Sequence, residues 1–189
     1  LKLESRSTGD NQKWYLEPVD EANFYFRYMF ANANENSYIT LGSGYKMYRE
    51  TLNDWHYAID ITGKTSFIRG TPIFSPTSGT VIYSQHNPES GNYVVIETDK
   101  CVKGTGKKVI LTFAHMIEKS PLEVGQRVLP KKFIGYVGST GNSSGDHLHH
   151  AVFKSPPGSN TIYESQINCI NPQRFYPNVP FAGETSTAP

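Results

Sequence analysis

Turn-forming residues recur along this chain and divide it into segments of strand-like composition. Gly42-Ser43-Gly44, Gly63-Lys64, Pro72, Pro76, Ser78-Gly79, Asn87-Pro88, Gly104-Thr105-Gly106, Pro130 and the run 138–145 punctuate it, with residues that accept a positive φ or cannot continue a ladder. What lies between is rich in Val, Ile, Tyr and Phe, whose branching and bulk suit a pleated sheet. Segments 80–84, 92–97, 109–114, 133–138 and 148–153 therefore read as short strands. No stretch of about twelve residues carries a helical period. The expected fold is all-β, mainly antiparallel.

Length and charge narrow the function. A chain of 189 residues suits one domain with a short appendage and can bury a real core. Lys and Arg total 18 against 17 Asp and Glu, a formal charge of +1, so the basic stripe of a nucleic-acid binder is missing. The apolar runs 109–113 and 133–137 are of strand length, well short of the roughly 18 residues of a membrane helix, and a soluble protein is expected. The chain opens on Leu1 without a basic and then apolar leader, so any secretion signal was removed or lies outside it, and this decides nothing. Cys101 and Cys169 could form one disulfide in an extracellular setting, but spacing alone does not bring them together.

The first 45 residues differ in tone. Phe24, Phe26, Tyr28 and Phe30 alternate as a strand would, ahead of an Asn-rich turn. Gln12-Lys13-Trp14 resembles the Gln-x-Trp turn of ricin-type lectin repeats in three residues only, and the plainer reading packs Trp14 against the main domain. The expected organisation is an N-terminal extension, 1–45, a main domain, 46–180, and a flexible tail, 181–189.

Six histidines carry most of the chemical interest. If 55–61 is one extended strand, His56, Ala58 and Asp60 share a face while Tyr57, Ile59 and Ile61 share the other, which is core. In 146–152 the same period places His147 and His149 together and His150 on the opposite side, as an outward or wall residue without a catalytic role. Two imidazoles and a carboxylate, from His56, Asp60 and His149, form the three-ligand set of a catalytic zinc with its fourth position open. No Cys-x-x-Cys pair and no His-Glu-x-x-His is present, so neither a structural zinc nor that metalloprotease design applies. His115 ends an apolar strand, and beside a metal site it and His147 are imidazoles able to act on bound water and a developing oxyanion. The glycine-rich run 135–145 lacks the Lys-Ser/Thr pair of a phosphate loop and reads as a tight loop delivering His147.

From about residue 46 to 176 the sequence resembles the lysostaphin-type, LytM-like zinc endopeptidases that cut peptidoglycan cross-bridges. His-x-x-x-Asp at His56 and Asp60, the lone His115 after Phe113-Ala114, and His-x-His at His147 and His149 occur in the family's order. Gly70-Thr71-Pro72, Gly79-Thr80-Val81, Gly91-Asn92-Tyr93, the run 135–141 and Asn171-Pro172 match as well. The resemblance implies an antiparallel fold of duplicated-hybrid-motif type with a substrate groove. It further implies zinc on His56, Asp60 and His149, with His115 and His147 as catalytic helpers. A secreted or envelope location, a peptidoglycan peptide substrate, no nucleic-acid partner and a monomer are expected. Asp146 stands where the family usually has Pro, and His150-Ala151 where it usually has Phe-Glu, which bears on substrate preference and packing. The rival readings are a non-catalytic or latent wall-binding scaffold on the same fold, and a carbohydrate-binding module without zinc.

Overall fold

Short strands bury little alone, so each segment between turns must find partners across the chain. The computed structural model describes residues 26–27, 29–30, 37–39, 44–50, 52–63, 69–156, 158 and 168–176. Within them lie twelve strands: β1 (Ser37–Ile39), β2 (Met47–Arg49), β3 (Asp54–His56), β4 (Ile59–Gly63), β5 (Pro72–Phe74), β6 (Gly79–Asn87), β7 (Gly91–Cys101), β8 (Lys108–Met116), β9 (Arg127–Val128), β10 (Phe133–Tyr136), β11 (Leu148–Ser155) and β12 (Cys169–Ile170). A single 3₁₀ turn, Pro172–Phe175, is the only helical element among the described residues, so none is long and apolar enough to cross a membrane. Eight strands form one sheet in the order β1-β4-β11-β8-β7-β6-β9, with β12 also pairing β11. β10 pairs β5, and β2 pairs β3, as separate ribbons. Every pairing is antiparallel.

Alternation sorts the main sheet into two faces. Ile59 and Ile61 of β4, Leu148 and Val152 of β11, Leu111 and Phe113 of β8 and Val94 and Ile96 of β7 enter one large core with Ile73 of β5 and Ile134 of β10. Each such side chain contributes roughly 1.5–3 kcal/mol by leaving water. The opposite face carries a smaller cluster, Tyr93, Val95, Ile110, Ala114 and Phe153, with Tyr45, Tyr57 and Tyr83 against it. The histidine site stands on this second face.

The core reaches back before residue 45. Phe26, Met29 and Phe30 are buried in it, the Phe26 ring stacks on Phe175 at 4.9 Å, and the Phe26 amide donates to the Phe175 carbonyl at 2.9 Å. Of the strand expected over 23–30, residues 26, 27, 29 and 30 are described, and none of these four lies in a ladder. Trp14 and the tail 181–189 lie outside the described residues. Cys101 is exposed, Cys169 is buried, and no disulfide joins them.

The single strand expected over 55–61 is two. β3 belongs to the ribbon with β2, and β4 to the main sheet between β1 and β11, so the chain changes sheets at Tyr57 and Ala58. Tyr57 meets the Tyr45 ring edge-on at 6.4 Å, and Ala58 is fully buried. The ribbon itself is closed by Asn53 in the left-handed region at φ 52° and by a two-pronged pair, Arg49 Nε and Nη2 to Asp54 Oδ1 and Oδ2 at 2.8 and 2.6 Å.

Candidate active site

Register places the first pair. His149 of β11 stands directly opposite Asp60 of β4, and since paired residues share a face, His149 Nδ1 reaches Asp60 Oδ1 at 3.0 Å. His56 arrives from the separate ribbon, with Nε2 3.3 Å from Asp60 Oδ1 and 3.2 Å from His149 Nδ1. The His56 Nδ1–H points at the Gly44 carbonyl, 3.3 Å away, which leaves Nε2 as the lone-pair atom towards the triangle. Three donor atoms with edges of 3.0 to 3.3 Å suit a small tetrahedral cation, because zinc bonds of about 2.0–2.1 Å spread tetrahedrally put ligand atoms about 3.3 Å apart. His56, Asp60 and His149 are the group among the described residues able to hold a metal ion.

Asp60 is an anion in this setting. Burial by itself raises its pKa, but the imidazoles of His149 and His56 set against it at 3.0 and 3.3 Å outweigh burial and hold the carboxyl well below the usual carboxylate range. That is the state a cation needs in a ligand.

Two further imidazoles flank the triangle. The His115 ring centre lies 4.8 Å from that of His147 and 5.7 Å from that of His149, and His147 Nε2 lies 3.5 Å from Asp60 Oδ1. His115 Nδ1–H donates to the Thr140 carbonyl at 2.8 Å, and His147 Nδ1–H donates to the Gly145 carbonyl at 2.8 Å. Each ring therefore keeps Nε2 as its proton-accepting nitrogen. Burial, and then the neighbouring His149, push the His115 pKa down to about 4, so it is neutral at physiological pH.

The glycine-rich segment does deliver His147. Gly138 bridges His147 across the loop, its carbonyl accepting the His147 amide at 3.1 Å, and Ser139 and Ser143 pair their hydroxyls at 2.9 Å inside it. Beside His147, Asp146 pairs with the exposed Arg69 at 3.0 Å. His150 lies on the face opposite His149, as its parity requires, and of the outward and wall positions expected for it the outward one is excluded, since it is fully buried. It is stacked on Phe113 at 5.0 Å, with Nδ1–H donating to the Thr112 carbonyl and Nε2 accepting from the Tyr176 hydroxyl, both at 2.9 Å. Thr140 and the Gly44 carbonyl are the site's unforeseen members. Thr140 carried no signal beyond its place in the run 135–141 that the family resemblance covers, and a backbone carbonyl carries none.

Residues 54–163 match the family described as peptidase family M23. The peptidoglycan DD-endopeptidase ShyA of Vibrio cholerae is 33% identical over 83 residues, 44% of this chain and 17% of ShyA. The chain thus spans less than a fifth of the length of that relative. A solved zinc-containing peptidase from Vibrio cholerae superposes with a TM-score of 0.54 at 26% identity, over 69% of this chain and 37% of that one. The catalytic domain of lysostaphin from Staphylococcus simulans shares the fold, with a TM-score of 0.57 at 24% identity over 72% of this chain and 91% of that domain.

Proposed function

The chain belongs to peptidase family M23, and from that premise we propose that it is a zinc endopeptidase that hydrolyses peptide bonds in bacterial peptidoglycan, acting in the cell envelope or outside the cell. The observation that carries this reading is the pairing of a His56–Asp60–His149 triangle, with His56 and Asp60 buried, and two imidazoles whose tautomers are set by backbone carbonyls. His56, Asp60 and His149 would hold the ion, which when bound lowers the pKa of its water and polarises the scissile carbonyl.

The protein's own residues do the rest. Nε2 of His115 or His147 takes the proton released as water adds to the carbonyl carbon, and the protonated imidazole returns it to the leaving amine. The other ring, whose Nδ1–H is held by a backbone carbonyl, can donate to the oxygen that gains charge only when it carries a second proton at Nε2. Because neutral rings are needed to accept, the low pKa of His115, about 4, keeps it competent through the neutral range. Arg69 and Asp146 pair at the surface beside His147. A catalytic unit drawn over 46–180 would leave out Gly44, whose carbonyl faces His56, and the core residues Phe26, Met29 and Phe30, so we extend the unit N-terminally beyond residue 46.

The named activity of ShyA and its relatives ShyB and ShyC, peptidoglycan DD-endopeptidase, favours the D,D cross-link over a glycyl bridge as the bond cut. Purified peptidoglycans of both cross-link types, treated with and without a zinc chelator, are the test, read by mass spectrometry of released fragments. Chelator-sensitive new amino termini at the D,D cross-link support the reading; no release from any wall by zinc-loaded protein overturns it.

A further inference from the structure

His115 stands where strand alternation would not put it. Along β8, Val109, Leu111 and Phe113 enter the large core, and two residues further the same period would bury position 115 beside them. Instead a β-bulge intervenes. Val94 pairs with Phe113 and Asn92 with Met116, so one residue of β7, Tyr93, faces two of β8, Ala114 and His115. Met116 takes the core place, His115 adopts φ 62°, and its ring comes to lie beside those of His147 and His149. The bulge is what turns this imidazole from the core to the site.

A left-handed, non-glycine residue persists only where its surroundings over-determine it. Here the surroundings centre on Thr140. Its carbonyl accepts from His115 Nδ1–H at 2.8 Å and its amide donates to the His115 carbonyl at 3.4 Å. Its hydroxyl donates to the Met116 carbonyl at 2.7 Å and accepts from the Asn92 amide at 2.9 Å. Asn92 Nδ2 adds bonds to the carbonyls of Met116 and Ile117 at 3.1 and 3.2 Å. The loops are in backbone contact: a Cβ on Gly91 would come within 2.2 Å of Thr140 Oγ1, and one on Gly141 within 2.2 Å of the Gly91 nitrogen.

We infer that Thr140 is a positioning residue for His115. Its hydroxyl clamps the two strands at the bulge, and its carbonyl, thereby held in place, fixes His115 as the Nδ1–H tautomer with Nε2 left to take a proton. The kinetic consequence rests on the peptidase reading of His115; the tautomer and the clamp do not.

The test uses the full chain, with ¹⁵N NMR of the imidazoles in metal-free protein, and zinc content, kcat and KM in loaded protein. Wild type is expected to show His115 protonated at Nδ1. Thr140→Val, which removes the hydroxyl at nearly constant shape, should lose that signature and drop kcat by about tenfold or more, with zinc stoichiometry and KM unchanged. Thr140→Ser, which keeps the hydroxyl, should restore both. The inference is overturned by a wild-type His115 protonated at Nε2, by a valine variant with wild-type kcat and tautomer, or by a serine variant as impaired as valine. If Thr140→Val does not fold, the wild-type and serine spectra decide. If wild type cuts no peptidoglycan, the peptidase reading fails, while the tautomer comparison still decides the role of Thr140.

Discussion

His149 and Asp60 face each other in register across β11 and β4, and their nearest side-chain atoms lie 3.0 Å apart. Neither could shift by one residue without sending its side chain into the core on the other face. The two strands therefore hold a fixed half of the triangle, to which the β2–β3 ribbon adds His56.

Removing one member of this triangle and removing a flanking imidazole should have separable effects. Asp60→Ala or His149→Ala is expected to lose zinc and activity together. His115→Ala should keep zinc and lower kcat by about 10²–10⁴-fold, the usual worth of a general acid or base. Metal analysis alongside turnover of peptidoglycan fragments checks both, and full activity in any of the three sinks the residue assignment.

Acid should weaken the metal-free protein in a defined window. The folded-state pKa of His115, about 4, is depressed below the roughly 6.5 of an unfolded histidine. Its contribution is fully present above about pH 6.5 and is lost as pH falls towards 4, by about 3 kcal/mol in total. The groups facing it, His147, His149 and Asp60, are retained in the comparison variant His115→Gln, whose urea midpoint should fall less over the same range. Asp60, also depressed, acts in the same direction but below about pH 3.8, so the two windows do not coincide.

The buried His150 is a stability residue. Tyr176→Phe removes the hydroxyl that donates to His150 Nε2 and leaves that nitrogen without this bond inside the core, at a cost of about 1–3 kcal/mol. Urea denaturation should register the loss while zinc content stays at the wild-type level; a fall in zinc instead would show that the pair supports the site.

Gly138 should tolerate no side chain. A Cβ there would stand 2.6 Å from the Ile117 nitrogen, which is backbone and cannot move aside. Because the Gly138 carbonyl also accepts the His147 amide, Gly138→Ala is expected to lower both the melting temperature and kcat. Gly145→Ala, with open space around its Cβ, is the control from the same loop and should leave both near wild type.

Much of the site was legible because it obeys the two-residue period. That period pairs His147 with His149 and sends His150 to the opposite face, where the structure has it; it also puts Asp60 with His56, which the structure brings together from strands of two different sheets. What the period could not convey is what each face meets. The opposite face of β11 is covered by Phe113 and by Tyr176, far along the chain, so His150 is sealed in rather than outward. The break at Tyr57 and Ala58 was equally hidden, since membership of two different sheets is decided by partners and not by the strand's own residues.

By itself, the sequence determined that the chain is built of short strands, which residue types could hold a cation, and which side of their strands they take, because turn chemistry and alternation are local properties. The resemblance named His115 as their helper, but only the tertiary structure decided how it joins them. Its local pattern assigns it to the core, and it reaches the site through a bulge held by Thr140 and Asn92 from other strands and loops, a long-range set of hydrogen bonds that no local period can encode.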